Sequence, residues 1–299
     1  MAVNQVNSAY SAQEPLVAQA RTYPEIWRLL AGLAIIAAVV LALNAGLFAF
    51  VSGMAPETWV LTLVTGSTPT AMLVLLSSFG FVVLGVFIAA RQMQHRTLRS
   101  ILGNLKTFMA QFWFVLRALL IVGVIVAVLP PYDMGAPLQS NLPLATWLAF
   151  LPLSVIAVLI QTSAEEVLFR GYLQQSLAAR FQSPLVWLLV PAVLFAAGHY
   201  APTEAGENAF LVSAWSFAFG VLAADLTARA GTLGPAIAMH FFNNVVALLF
   251  ISLPDSLNGL ALFLVPYDMS DTGILRQWLI VDFAFMIISW LTARLALRR

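Results

Sequence analysis

Eight apolar stretches dominate the chain, at roughly 27–53, 68–90, 107–130, 144–164, 184–200, 209–228, 232–253 and 277–297. A helix of about 20 such residues spans the roughly 30 Å of bilayer hydrocarbon. Only 9% of the 299 residues are charged and 61% are hydrophobic, whereas soluble domains carry about 25% charged residues. A soluble fold would leave most of this surface without polar cover. The predicted fold class is therefore all-α: a polytopic membrane helical bundle of about eight transmembrane helices. The stretch 59–67 is a candidate extension of the second span. "LNGLALFLV" (257–265) is too short to cross and is expected in the interface or as a re-entrant segment.

Charge placement orients the bundle. Twelve of the fourteen Lys and Arg residues, all but Arg117 and Arg276, fall on one side of this eight-span arrangement. The opposite connections carry acids such as Glu57, Asp133, Glu204 and Asp268. By the positive-inside rule both termini are expected in the cytoplasm, in a multi-pass protein of the plasma membrane. Residues 1–25 lack a basic n-region with a cleavage site and read as a loose polar tail. A single integral-membrane domain is expected over 26–299. The loop 91–106, "RQMQHRTLRSILGNLK", is expected to form a short helix against anionic headgroups. With no cysteine, disulfides, thiolate metal sites and cysteine nucleophiles are excluded.

Ionisable groups inside hydrocarbon are expensive, so each needs a partner or a task. Asp225 and Arg229 are four apart and are expected to pair on one helix. Arg117 and Asp282, on different spans, are expected to neutralise one another, and His95 is expected to be solvated. Glu165 and Glu166 point about 100° apart on a helix. Arg170 follows Glu166 by four residues and can neutralise it, which leaves Glu165 facing elsewhere, one turn beyond Gln161. One neutralised and one free carboxylate is an arrangement that acid/base chemistry can use. Of the three histidines, His199 and His240 lie in apolar spans, and Asn244 follows His240 on the same helical face.

Depth tests whether these groups can meet. Glu165 lies 17 residues before Gln182 in the "FQSP" turn and His199 lies 17 after it, each about 25 Å along its arm. His240 is only about 12 Å into its span by the same rise. The mismatch requires the helix after Glu165 to bend at Gly171 or to run partly outside the bilayer.

Glu165-Glu166-x-x-x-Arg170, Phe195-x-x-x-His199 and His240-x-x-x-Asn244, in this order on three spans, resemble the motifs of the CAAX protease and bacteriocin-processing (CPBP, or Abi) family. That family includes the Ras-converting CAAX endopeptidases. The resemblance covers about residues 145–252. It implies intramembrane peptide-bond hydrolysis, possible CAAX-type C-terminal processing, and a peptide or protein substrate with or without a lipidated C-terminus. By motif position Glu165 resembles the general base and His199 the group that orients or activates water. His240 and Asn244 resemble the oxyanion-stabilising side, with Glu166 and Arg170 supporting them. The family's metalloprotease label implies Zn²⁺, for which His199, His240 and Glu165 are the candidate ligands. Metal-free activation of water uses the same residues, and the absence of an H-E-x-x-H helix favours it. Two other functions compete: a non-catalytic bacteriocin self-immunity or scaffold role, and a proton-coupled transporter, against which stands the lack of a visible repeat. No nucleic-acid partner is expected, lipid is, and the oligomeric state is open.

Overall fold

A computed structural model describes residues 9–129, 137–255 and 257–298. Residues 1–8 of the expected tail, and Asp133 and Arg299 of the charge pattern, lie outside the described residues. The helices are α1 (Ile26–Met54), α2 (Glu57–Thr65), α3 (Pro69–Gln94), α4 (Leu105–Val128), α5 (Leu144–Arg180), α6 (Pro184–Gly198), α7 (Ala209–Ala230), α8 (Gly234–Phe250) and α9 (Ile274–Leu297). Among the described residues six of these, α1, α3, α4, α5, α7 and α9, are long and apolar enough to cross a bilayer, while α6 and α8 are shorter apolar helices. The chain is a multi-pass, all-α membrane bundle, as expected. The stretch 59–67 does not extend the second span. It belongs largely to α2, which ends where Gly66 turns left-handed (φ 63°).

The centre of the bundle is α8. It packs against α4, α5 and α7, and every residue from Gly234 to Phe242 is buried. Its first turns, Gly234–Met239, are apolar on every side, as a helix placed inside requires. Proline in its first turn fits a start where amides lack intrahelical partners. Just before it, Gly231 (φ 71°) ends α7 in the left-handed conformation, and a Cβ there would come within 2.3 Å of the Ala12 carbonyl.

That contact belongs to a strap. Residues 9–25 do not hang loose as the polar composition suggested. They form helical turns, including Glu14–Val17, and pack on one end of the bundle with Leu16, Val17 and Ala20 buried. Tyr10 donates to Asp225 at 2.8 Å, and the fully buried Arg96 donates to the Leu16 carbonyl and to Gln175. The few apolar side chains of the segment thus find a surface that hydropathy averaging hid. The helix expected in the basic loop is present at Leu98–Leu102.

A three-stranded sheet closes the opposite end. β1 (Gln139–Ser140) pairs antiparallel with β3 (Phe263–Leu264), which pairs parallel with β2 (Ile251–Ser252). "LNGLALFLV" is therefore turns and a short strand, with no re-entrant helix. It turns beneath the α2–α3 junction, donating from Leu257 to Thr65 and from Gly259 to Gly66, and then enters β3.

Two other expectations divide. Asp225 and Arg229 pair at 2.8 Å. Arg117 and Asp282 do not pair, although α4 and α9 are packed together, and neither forms an ion pair among the described residues. Helical phase explains this: Arg117 stands about 100° or more from each of Phe112, Val115, Leu116 and Leu119, the buried line of α4.

Candidate active site

Helix α5 carries the two glutamates and does not stop with its apolar run. Its 37 residues extend about 55 Å, well beyond about 30 Å of hydrocarbon. Directly after Glu166 the turns widen into a π-helical segment, Val167–Leu173, a feature often found at functional sites. A helix that outruns the bilayer removes the depth mismatch, because Glu165 need not lie as deep as the residue count implied. The return arm matches it. Phe169 and Phe195, each 13 residues from Gln182, are in edge contact with ring centroids 5.2 Å apart. Four residues further along each arm, Glu165 and His199 stand at similar height.

The buried centre of the site is an ion pair held by a histidine. Arg170 Nη1 donates to Glu166 Oε1 at 2.9 Å, and His240 Nδ1 donates to the same oxygen at 2.8 Å. Glu166, Arg170 and His240 are 0%, 1% and 4% exposed. An ionised carboxylate only accepts, so the proton of this contact belongs on His240 Nδ1. Arg170 Nη2 also donates to the Gly220 carbonyl at 3.3 Å, and its guanidinium lies 4.7 Å from the Phe195 ring. Gly220 is required for this approach, since a Cβ there would stand 2.9 Å from Ala192 and 3.5 Å from Arg170.

Glu165 faces the other side. Gln161 donates to its Oε1 at 2.9 Å, and Asn244 donates to Gln161 Oε1 at 2.8 Å. Glu165 Oε2 is buried and unpartnered among the described residues, 3.6 Å from His240 Nε2. Phe195 and Phe219 line the imidazole of His240, with centroids at 6.1 and 4.9 Å.

Five of the six sequence-predicted residues, Glu165, Glu166, Arg170, His240 and Asn244, thus belong to one contact network. His199 stands beside it without a direct hydrogen bond. It is exposed at the end of α6, its ring 4.4 Å from Phe195, its Nδ1–H donating to the Phe195 carbonyl at 2.8 Å. That bond leaves Nε2 as the free acceptor. Gln161 is the residue missing from the predicted set. Its signal was present, since it precedes Glu165 by one turn, but its link to Asn244 depends on how α5 and α8 pack.

Residues 144–246 match the family described as "Type II CAAX prenyl endopeptidase Rce1-like". The match covers 103 of the 299 residues, about a third of the chain, and is a similarity over that stretch alone. The matched segment contains all six candidate residues and leaves α1 to α4 and α9 outside it. "Uncharacterized protein YyaK" of Bacillus subtilis (strain 168) is 30% identical over 184 residues, 60% of each chain. The chain therefore spans less than two thirds of that relative's length. No solved structure matches.

Among the described residues no group of three or more His, Asp or Glu side chains is placed to hold an ion. His240 directs Nδ1 to Glu166 and Nε2 towards Glu165, so its two nitrogens serve different carboxylates across the ring.

Proposed function

We propose that this protein is an intramembrane endopeptidase that hydrolyses peptide bonds with water activated by Glu165, and that it acts in CAAX-type processing near substrate C-termini. The observation that carries the reading is the inequality of the two glutamates. Glu166 is neutralised by Arg170 and fixed by His240, whereas Glu165 keeps an oxygen uncommitted opposite His240 Nε2.

In this reading Glu165 Oε2 takes a proton from a water that His199 Nε2 helps to orient, and the resulting hydroxide attacks the substrate carbonyl carbon. The carbonyl π electrons move to oxygen. There His240 Nε2–H and the second Nδ2–H of Asn244 face the developing charge, an arrangement worth about 3–4 kcal/mol per donor. Donation from both ring nitrogens makes His240 the imidazolium in this step, beside Glu165 as the free carboxylate that takes the proton from water. The proton held by Glu165 then passes to the leaving amine as the C–N bond breaks. Water and peptide go in, and a carboxylic acid and an amine come out. Gln161 would hold the free rotamer of Glu165 and position Asn244. Both termini are placed in the cytoplasm, with the strap end of the bundle inward, because the basic residues gather there.

The test is turnover of a panel of lipidated and plain C-terminal peptides by purified protein, with Glu165→Gln and Glu166→Gln compared. Glu165→Gln keeps shape and hydrogen bonding, so we expect wild-type melting with cleavage reduced about 10²–10⁴-fold. A fully active Glu165→Gln beside a folded but inactive Glu166→Gln would assign the base to the other carboxylate.

A further inference from the structure

The strap closes over one end of the bundle without filling it. Between the strap, the last turn of α5 and the first turn of α6 lies a cavity of about 440 Å³, within the roughly 300–1,000 Å³ of ligand pockets. Tyr10, Gln13 and Arg21 line it from the strap, and Arg180, Gln182 and Trp187 from the α5–α6 corner. Packing fixes the strap wall. Tyr10 donates to Asp225 at 2.8 Å and meets the Trp187 ring edge-on at 5.2 Å, while the Arg229 guanidinium covers the Tyr10 ring at 4.9 Å.

Donors outnumber acceptors on this lining. Arg180 forms no ion pair among the described residues, and its guanidinium lies 5.8 Å from the Phe181 ring. Gln13 is only 6% exposed. Its Oε1 accepts from Gln174 at 3.4 Å, which leaves its Nε2 hydrogens without a partner among the described residues. The one carboxylate on the lining, Glu14, is engaged through both oxygens by Arg21. Two arginines against one carboxylate leave the cavity positive, with Arg180 as the cation still to be matched.

The cavity lies at the level where hydrocarbon gives way to headgroups. Leu185, in the first turn of α6, is 65% exposed, and Val190, Val193 and Leu194 are exposed further along the same helix. In a membrane bundle such side chains meet lipid. Trp187, on the cavity wall, follows Leu185 by two residues, about 3 Å along the helix axis. The edge of the hydrocarbon and the cavity therefore lie within about one helical turn of each other. Tyr and Trp favour this level, and basic side chains there are drawn to anionic headgroups.

We infer that this cavity is a lipid site, which takes the phosphate headgroup of an anionic phospholipid with Arg180 as its principal cation. A guanidinium presents a planar fork of donors that matches phosphate oxygens. The amides of Gln13 and Gln182 add neutral donors on the two sides of the cavity. Because the strap forms one wall and the α5–α6 corner the other, a bound headgroup ties the strap to the bundle. The inference needs neither the proteolytic reading nor an assignment of which side of the membrane the strap occupies.

The experiment gives the full-length chain, in a neutral detergent, equal mole fractions of phosphatidylglycerol and phosphatidylcholine with the same acyl chains. Native mass spectrometry reads which lipid the protein retains. Wild type is expected to prefer phosphatidylglycerol about fivefold, the preference one Arg contributes at an anionic membrane surface. Arg180→Gln should bring that ratio close to one, and Arg180→Lys should keep most of it. Arg180 is exposed, so both variants should fold, which melting in the same detergent checks. Arg91→Gln, at the same end of the bundle but off the cavity lining, should leave the ratio unchanged. A wild-type ratio of one, or a ratio unchanged in Arg180→Gln, overturns the site. An equal loss in Arg91→Gln also overturns it, because the preference then belongs to the basic surface as a whole. Displacement of phosphatidylglycerol by millimolar inorganic phosphate overturns the lipid as the source of the phosphate group, and retention of the lipid upholds it.

Discussion

Replacing Arg170 by alanine isolates what the buried ion pair contributes. The guanidinium is 1% exposed, and it neutralises Glu166, bonds the Gly220 carbonyl and lies against Phe195. Its removal leaves the fully buried Glu166 with His240 as its one remaining side-chain partner among the described residues. Breaking one side of a buried pair costs about 3–5 kcal/mol, mostly from the charge left behind. At about 2–4 °C per kcal/mol for a chain of this class, melting should fall by about 6–20 °C. Activity should fall with it, because His240 loses the fixed oxygen that orients its ring. Glu166→Gln with Arg170→Gln removes both charges and should recover most of the melting temperature while leaving turnover low. Scanning fluorimetry and peptide turnover on the same detergent preparations read both quantities. An Arg170→Ala protein that melts with wild type but does not cleave would refute the reasoning, since Arg170 would then act on the reaction and not on the fold.

Two further outcomes are expected. The chain has no cysteine, so Ser140→Cys at the sheet end should react with an impermeant thiol reagent in intact cells while Gln92→Cys at the strap end should not; the reverse pattern would invert the topology. At the strap, burial and then the Asp225 carboxylate push the Tyr10 pKa from 10.0 to about 12. A raised folded pKa means the docking contribution is complete below pH about 10 and is lost as pH climbs towards about 12. Limited proteolysis at Arg21 should accelerate over that window in wild type and show no such step in Tyr10→Phe.

What the sequence made legible follows from how local each determinant is. The apolar runs announced the helices because the bilayer demands about 20 residues of one character. The i,i+4 pairs Glu166–Arg170 and Asp225–Arg229 were legible because the helix itself brings their partners within reach. Arg117 and Asp282 were misread for the complementary reason. Their pairing depended on the rotation of two helices about their own axes, which charge and depth do not encode. Gln161 was visible as a neighbour of Glu165, but its bond to Asn244 belongs to the packing of α5 on α8. The strap escaped for a third reason, that its buried apolar residues are few and scattered among polar ones.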